Sequence, residues 1–305
     1  MLLATSAAVY ALKPDDSIPE PLLDEPARVT EAGNCRLAAF ENGEVIVLSN
    51  GERQRTETGI EEPIRSLLVL DGDPLDILLG TDAAHLYRLS SLDEPAELVS
   101  EFDELDCRSD WYTPWGGPPA VRSLASTRDG WVYADIHVGS IMRSSNRGEN
   151  WEPVAPELHK DVHQVATCPA SDDRVYANTA CGIYISEDRG DSWEHRARDL
   201  DQRYGRAVAV HPAQPDCLLA TVSDGPHAGN GQLYRSDDAG LSWSHVKNGF
   251  PETAEDNIDT FHVAFSLDGK AWACVGENLY VSEDEGKGWE EIWEAPVPIR
   301  MVVGE

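Results

Sequence analysis

Lysine is scarce in this sequence of 305 residues: only five of the 24 basic residues are lysines, and they face 55 acidic residues. The formal net charge is −31. A surface this negative repels phosphate, which argues against nucleic-acid binding unless basic residues are concentrated locally. The chain is also 41% hydrophobic with nine tryptophans, which argues against disorder, because disordered chains are poor in aromatic residues.

The sequence also lacks an apolar run of about 20 residues, so it predicts no membrane-spanning helix. Its opening residues, MLLATSAAVYALKPDD, have no basic leader and a short apolar run, and they are predicted to form sheet rather than a signal peptide. The six cysteines are scattered singly, without the close pairs typical of zinc and redox sites. We expect free thiols in a reducing compartment and no cofactor.

Two explanations fit the acidic composition. The acidic residues are spread along the whole chain, a pattern that resembles the proteins of halophilic archaea that accumulate salt, whose carboxylates keep the surface hydrated. A surface that docks a basic partner would be acidic as well. The even spread favours the first explanation, and with it a cytoplasmic protein of a halophilic archaeon.

One motif, Ser-x-(Asp/Asn)-x-Gly-x-x-Trp, occurs four times, starting at Ser144, Ser186, Ser236 and Ser282. Spacings of about 40 to 50 residues are typical of propeller blades. Three short apolar strands precede each copy and a fourth begins at its tryptophan. Units of four short strands predict an all-β protein, a β-propeller.

The same template extends to the N-terminal half and predicts a single domain, residues 1–305, with seven four-stranded blades. The blade that opens the chain lacks a first strand, which the C-terminal strand 299–304 is predicted to supply, closing the ring and removing exposed edges. A tight turn is predicted at Asn50 and Gly51. The predicted blades are 299–304 with 1–30, 34–60, 64–100, 120–155, 162–198, 205–248 and 259–294.

The four motifs have the composition of tight turns. Short polar side chains cap free backbone groups, glycine accepts a positive φ, and the tryptophan ring can bury itself against the hairpin. The residues concerned are Ser144, Asn146, Gly148, Trp151, Ser186, Asp188, Gly190, Trp193, Ser236, Asp238, Gly240, Trp243, Ser282, Asp284, Gly286 and Trp289.

This pattern resembles the Asp-box, or BNR, repeat of sialidases, xyloglucanases, sortilin-type receptors and photosystem II assembly factors. The resemblance is clear over residues 120–294 and rests on the period alone elsewhere. In those families the box is a structural hairpin on the face away from the ligand site. The resemblance therefore implies a structural role for the boxes, rather than catalysis or calcium binding.

One column of the aligned first strands is basic, although basic residues are few in this chain. A guanidinium group suits a carboxylate or a phosphate, so a ring of these side chains around the channel mouth would bind an anion. The alternative is structural pairing with acidic groups between blades. The members of the column are Arg36, Arg65, Arg122, His163, Arg206, His262 and Arg300.

The insert EFDELDCRSDWYTPWGGPP between the third and fourth blades contains Trp111, Tyr112 and Trp115. Exposed aromatic rings would stack on a sugar or anchor a protein partner; equally, they would fold onto the propeller as a lid. Five histidines raise the possibility of a metal site, but the spacing of His159 and His163 suits a helix, and none is expected there. No metal is predicted at His137, His159, His163, His227 or His262.

Enzymatic signatures are incomplete. The resemblance to sialidases implies an arginine triad and a Tyr–Glu pair, yet only Tyr204 stands beside basic residues, and no Glu partner or Arg-Ile-Pro signature is found. Xyloglucanase-like enzymes use two propellers with a cleft between them, and this chain has one. The expected function is a non-catalytic propeller that recognises a protein partner or an anionic small ligand through its top face, the face of the channel mouth opposite the boxes. The alternative is a glycoside hydrolase or lyase with two carboxylates on that face.

Overall fold

Short runs of alternating apolar residues fold into strands throughout the chain. The computed structural model describes residues 1–13, 18–32, 35–49, 52–227 and 229–304; the turn predicted at Asn50 and Gly51 lies outside them. The helical segments in these ranges are α1 (Ser100–Asp103) and a 3-10 turn (Asp106–Asp110). Within the same ranges, no helix is both long and apolar enough to cross a membrane.

The strands form seven antiparallel sheets of four strands each, the blades. Within a blade we number the strands from first to fourth, starting at the channel. Blade 1 consists of β28 (Ile299–Val303), β1 (Leu2–Thr5), β2 (Val9–Ala11) and β3 (Glu20–Leu23). Blade 2 consists of β4 (Arg28–Ala32), β5 (Cys35–Ala39), β6 (Glu44–Ser49) and β7 (Glu52–Glu57).

The next three blades follow in chain order. Blade 3 consists of β8 (Ile64–Gly72), β9 (Leu75–Thr81), β10 (Leu86–Leu89) and β11 (Glu97–Leu98). Blade 4 consists of β12 (Val121–Ser126), β13 (Val132–Ile136), β14 (Ser140–Ser144) and β15 (Glu152–Pro153). Blade 5 consists of β16 (Val162–Cys168), β17 (Ser171–Thr179), β18 (Gly182–Ser186) and β19 (Glu194–His195).

The last two blades complete the ring. Blade 6 consists of β20 (Tyr204–His211), β21 (Gln214–Ser223), β22 (Gln232–Ser236) and β23 (Ser244–His245). Blade 7 consists of β24 (Val263–Phe265), β25 (Ala271–Val275), β26 (Asn278–Ser282) and β27 (Glu290–Glu294).

The first strands contact one another in a closed cycle, from β4 through β8, β12, β16, β20 and β24 to β28 and back to β4. Blade 1 is completed by antiparallel pairing of β28 with β1, in a register that places Leu3 opposite Val302. The predicted seven-bladed propeller, closed by its C-terminal strand, is therefore confirmed.

Burial follows strand position. The second strands are covered on both faces by the neighbouring blades and are buried along most of their length; all five residues of β13 are buried. The first strand β12 instead alternates between buried and partly buried residues. The outermost strand β7 is almost wholly exposed. The hydrophobic core is thus divided into clusters between adjacent blades, such as the contact of Leu37 and Val47 of blade 2 with Ile77 and Leu79 of blade 3.

The predicted start of blade 2 is wrong. The blade boundaries predicted from the sequence place residues 28–30 at the end of blade 1 and start blade 2 at residue 34, but Arg28–Ala32 is the first strand of blade 2 and pairs with β5. Consequently Arg36 lies on the second strand, opposite Glu31, and Arg28 opens the first strand. The sequence does not tell these two strands apart. RVTEA and CRLAA both have the period of two that is common to first and second strands.

Removal of residues 299–305 is expected to lower the melting temperature by on the order of 10 °C or to abolish folding, because β1 would lose its partner and become an unpaired edge. Thermal unfolding followed by circular dichroism measures this. Removal of residue 305 alone is the control. A truncated protein with the melting temperature of the full chain would contradict the closure.

Candidate functional site

The antiparallel order of the blades places the starts of all first strands on one face, together with the loops between second and third strands. We call this the top face. A cavity of about 730 Å³ opens there in the middle of the ring; we call it the channel mouth. Its charged and titratable lining residues are Arg28, Glu41, Arg65, Arg122, Arg206, Asp259, His262 and Arg300.

Most of the predicted basic column meets at the channel mouth. Five of its seven members line the cavity, and Arg28, which sequence reasoning missed, takes the place of Arg36 in blade 2. Arg36 does not line it; its guanidinium pairs with the buried carboxylate of Glu31. The five predicted members that line it are Arg65, Arg122, Arg206, His262 and Arg300.

His163, the seventh member, is a buried structural residue. Its side chain is fully buried; Nδ1 donates to the Gly205 carbonyl oxygen, and Nε2 lies 3.3 Å from both the Tyr204 hydroxyl and the Asp161 carboxylate. Burial lowers the pKa of His163, and the hydrogen bond with Asp161 opposes that effect. It therefore links blades 5 and 6 and does not line the channel mouth.

Three arginines of the mouth are held by acidic or backbone oxygens. Arg65 forms a bidentate pair with Asp82, with N–O distances of 2.9 and 2.6 Å. Arg122 donates to the Val162 carbonyl over 3.1 Å and lies 3.7 Å from the carboxylate of Asp161. Arg206 donates to the Pro226 carbonyl over 3.2 Å. Structural pairing between elements therefore accounts for these three members.

Two arginines are different. Within the described ranges, Arg28 and Arg300 form neither a hydrogen bond nor an ion pair, although both line the cavity. Burial, followed by the charge of nearby Arg65, lowers the pKa of Arg28, against opposing contributions from Asp259, Glu41 and Asp82. Arg28 and Arg300 both lie at the start of the first strands of adjacent blades.

Two carboxylates also line the channel mouth, and sequence reasoning did not single them out. Glu41 lies in the loop between the second and third strands of blade 2 and is exposed. Asp259 lies in the loop that leads into blade 7, with its Oδ1 3.4 Å from the Arg206 guanidinium. Partial burial raises the pKa of Asp259, but Arg206 and His262 outweigh it and the net effect lowers the pKa. Asp259 is therefore ionised at neutral pH.

The three aromatic residues of the insert separate into two groups. Trp111 is only 8% exposed and packs on Phe102 of α1, with ring centroids 5.8 Å apart; it is a core residue and not a binding residue, because α1 and the 3-10 turn fold it inward. Tyr112 and Trp115 are 55% and 66% exposed. Trp115 reaches His227 of blade 6, with ring centroids 5.3 Å apart, so the insert extends across the top face.

The histidines raised by the sequence do not assemble a metal site. In the part of the chain that the structure describes, no three His, Cys, Asp or Glu side chains are arranged to hold a metal ion.

The four repeated boxes close the turns between third and fourth strands, on the face opposite the channel mouth. In the second box the Ser186 hydroxyl donates to Asp188 over 2.8 Å and accepts the Gly190 N–H over 2.7 Å. Asp188 also accepts the N–H of Ser192 over 2.8 Å, and Gly190 has a φ of 93°. Trp193 is 8% exposed. The other three boxes repeat the same bonds.

The family model of sortilin, neurotensin receptor 3 (Sortilin-Vps10), matches residues 139–254, a stretch that contains three of the four boxes. The chain is a β-propeller with four Asp-box motifs. The match covers less than half of the chain, so it supports a resemblance to that family over blades 4 to 6.

Curated relatives of this Asp-box propeller are xyloglucanases. The probable oligoxyloglucan-reducing end-specific xyloglucanase of Neosartorya fischeri is 26% identical over 239 residues, covering 70% of this chain and 28% of that protein. The oligoxyloglucan-reducing end-specific xyloglucanase of Emericella nidulans is 27% identical over 190 residues, covering 54% of this chain and 23% of that protein. The chain thus spans about a quarter of the length of the curated relatives it matches.

Solved structures agree on the fold. An ancestral GH74 enzyme superposes with a TM-score of 0.66 at 17% identity, covering 88% of this chain and 38% of that one. YCF48 bound to D1 peptide superposes with a TM-score of 0.60 at 14% identity, covering 95% of this chain and 84% of that one. At these identities the likeness establishes the propeller fold alone.

The expectation of a non-catalytic binding platform is wrong. The relatives found by sequence are glycoside hydrolases, and they favour the alternative function, a hydrolase of the Asp-box propeller type. Missing sialidase signatures and a single propeller therefore do not exclude a relationship to the xyloglucanases. The cytoplasmic location and the halophilic origin stay predictions from composition.

Asp188→Ala is expected to destabilise the propeller by about 1 kcal/mol, because three donors of the turn lose their acceptor. Asp188→Asn should cost less, since the first box carries Asn146 at this position and keeps the Oδ1 acceptor. Urea unfolding at pH 7 measures both. An alanine variant as stable as wild type would contradict the structural role.

The same pair of variants tests a pH dependence. Burial raises the pKa of Asp188, but hydrogen bonds from Ser192 and Ser186 outweigh it and lower the pKa in the folded state. The stabilisation by Asp188 is therefore complete above the usual aspartate pKa, about 3.9, and is lost as the pH falls through the lowered value. The stabilities of wild type and Asp188→Asn should converge below that pH.

Proposed function

We propose that this propeller is a glycoside hydrolase that cleaves a polysaccharide at the channel mouth, with xyloglucan as the first substrate to assay. The observation that carries the proposal is the 26% identity to a xyloglucanase over 239 residues. The cavity adds a second argument, because it combines two carboxylates with a concave space of about 730 Å³, a size typical of small-molecule sites.

The two carboxylates have different surroundings, as acid–base hydrolysis requires. Asp259 is held in its ionised form beside Arg206, which suits a general base that takes a proton from water. Glu41 is exposed and has no hydrogen-bond or ion-pair partner among the described residues. Because Glu41 is accessible in the same cavity, we propose it as the group that protonates the departing glycosidic oxygen.

Arg28 connects the two carboxylates electrostatically. The charges of Asp259 and Glu41 both act on its guanidinium, and both raise its pKa against the effect of burial. Both acidic groups therefore lie near one cation at the mouth. In inverting hydrolases two carboxyl groups about 6.5–9.5 Å apart leave room for the attacking water, and that is the arrangement we propose here.

The exposed aromatic residues give the sugar a surface to lie on. Tyr112 and Trp115 remain accessible, and the contact of Trp115 with His227 carries the insert over the top face. The flat face of a pyranose ring stacks on aromatic side chains, which bury apolar area. We propose that Trp115 binds a sugar unit next to the cleaved bond.

Glu41→Gln and Asp259→Asn are each expected to lower kcat by at least about 100-fold, measured as the release of reducing ends from xyloglucan and from a panel of neutral and uronate-bearing polysaccharides. Glu57→Gln, an exposed carboxylate on the outer strand of blade 2, is the matched control and should retain full activity. Circular dichroism confirms that each variant is folded. Wild-type activity in both site variants, or no hydrolysis of any polysaccharide by the wild-type protein, would refute the proposal.

Trp115→Ala is expected to raise KM by roughly 10-fold with little change in kcat, because stacking contributes to binding away from the reacting atoms. Leu267→Ala removes another exposed apolar side chain, 69% accessible, and should leave KM unchanged. An unaltered KM in the tryptophan variant would remove Trp115 from the site.

A further inference from the structure

The channel mouth carries an excess of positive charge that the proposed hydrolysis does not use. Five arginines and two carboxylates line the cavity, in a chain whose acidic residues outnumber the basic ones by 55 to 24. A cationic cavity surrounded by a negative surface attracts an anionic group to the cavity rather than to its surroundings.

The excess is located at Arg28 and Arg300. Arg65, Arg122 and Arg206 are held by the oxygen contacts already described. Arg28 and Arg300 have no such partner within the described ranges, and they open the first strands of neighbouring blades, which contact each other. Two guanidinium groups that line one cavity without a hydrogen-bonded partner form a site for a carboxylate, which each can bind through two parallel hydrogen bonds.

His262 lies close enough to these arginines for their charge to affect its pKa. Burial lowers its pKa to about 4; the charge of Asp259 opposes this, while Arg300 and Arg28 add to it. The imidazole is therefore neutral at neutral pH. Its Nδ1 accepts the Asp259 N–H over 3.0 Å, so the proton is on Nε2, and that N–H is available as a donor at the cavity wall.

The same lining selects among anions. Glu41 and Asp259 stand in the cavity with the arginines and repel a dianion more than a monoanion. A carboxylate with one charge therefore suits the mouth better than a phosphate with two. The exposed rings of Tyr112 and Trp115 on the same face suit a sugar as the carrier of that carboxylate.

We propose that Arg28 and Arg300, assisted by His262, bind the carboxylate of a uronic-acid unit, so that the preferred substrate is an acidic polysaccharide. This proposal rests on the proposed function for its choice of a sugar. It gives the two unpaired arginines a role in specificity: they position a charged substituent beside the bond that Glu41 and Asp259 cleave.

Binding is tested with sugars that contain no glycosidic bond. The dissociation constants of D-glucuronate, D-glucose and acetate are measured by NMR titration at the lowest salt concentration at which the protein is folded. We expect D-glucuronate to bind at least 10-fold more tightly than D-glucose, and more tightly than acetate. Equal binding of glucose would overturn the carboxylate site, and equal binding of acetate would overturn the sugar as its carrier.

Variants of the two arginines test whether Arg28 and Arg300 cause the preference for D-glucuronate. Arg28→Gln/Arg300→Gln should lose the preference for D-glucuronate over D-glucose. Arg53→Gln/Arg198→Gln removes two exposed arginines elsewhere and should keep it, so a general loss of positive charge is not the cause. A preference that survives in the first variant, or displacement of D-glucuronate by phosphate more readily than by acetate, would overturn the assignment.

Binding and hydrolysis fail independently. Uronate-selective binding by a protein that cleaves no polysaccharide would refute the proposed hydrolase and leave the carboxylate site standing. Hydrolysis of polysaccharides that ignores uronate content would overturn the carboxylate site alone. The double arginine variant should raise KM for an acidic substrate at least 10-fold more than it raises KM for neutral xyloglucan; an equal rise for both substrates would overturn the carboxylate site.

Discussion

The pairing of β28 with β1 is the interaction on which the rest of the structure depends. It supplies the first strand of blade 1 from the far end of the chain and brings the first strands of blades 7, 1 and 2 into contact. Arg300 lies on that closing strand and Arg28 on the next first strand. The cationic part of the channel mouth is therefore assembled by ring closure, and not by any local sequence motif.

Much of the fold was predictable, because repetition reveals blades that single strands cannot. Four boxes fixed the period, and the period located the box-less blades at the N-terminus. The prediction failed at blade 2, where no box marks the third strand and where Arg36 imitates the column. Only the pairing of Arg28–Ala32 with β5 distinguishes a first strand from a second one. Both segments alternate in the same way between side chains on the two faces of the sheet, so neither sequence alone shows which strand it pairs with.

The site was predictable in its cations and not in its carboxylates. Arginine is rare enough in this chain for a column of it to stand out, whereas Glu41 and Asp259 are two acidic residues among 55. Their position depends on two loops from different blades meeting at the cavity. Trp111 directly follows the 3-10 turn, and residues 112–114 separate it from Trp115. Trp111 is buried and Trp115 is exposed, because α1 and its neighbours provide an apolar surface for the first ring alone.

Structural pairing and anion binding, posed by the sequence as alternatives for one basic column, are compatible because they involve different members. Five guanidinium groups around one cavity repel one another. Asp82 and Asp259 lie within ion-pair distance of Arg65 and Arg206, and Asp161 lies near Arg122. Among the described residues, Arg28 and Arg300 are then the arginines of the mouth without such a partner, and a bound carboxylate would offset the repulsion that Arg28 experiences from Arg65. The anchored arginines thus make the unpaired ones tolerable, and the charge left at the mouth matches a single negative ligand more closely than a highly charged one.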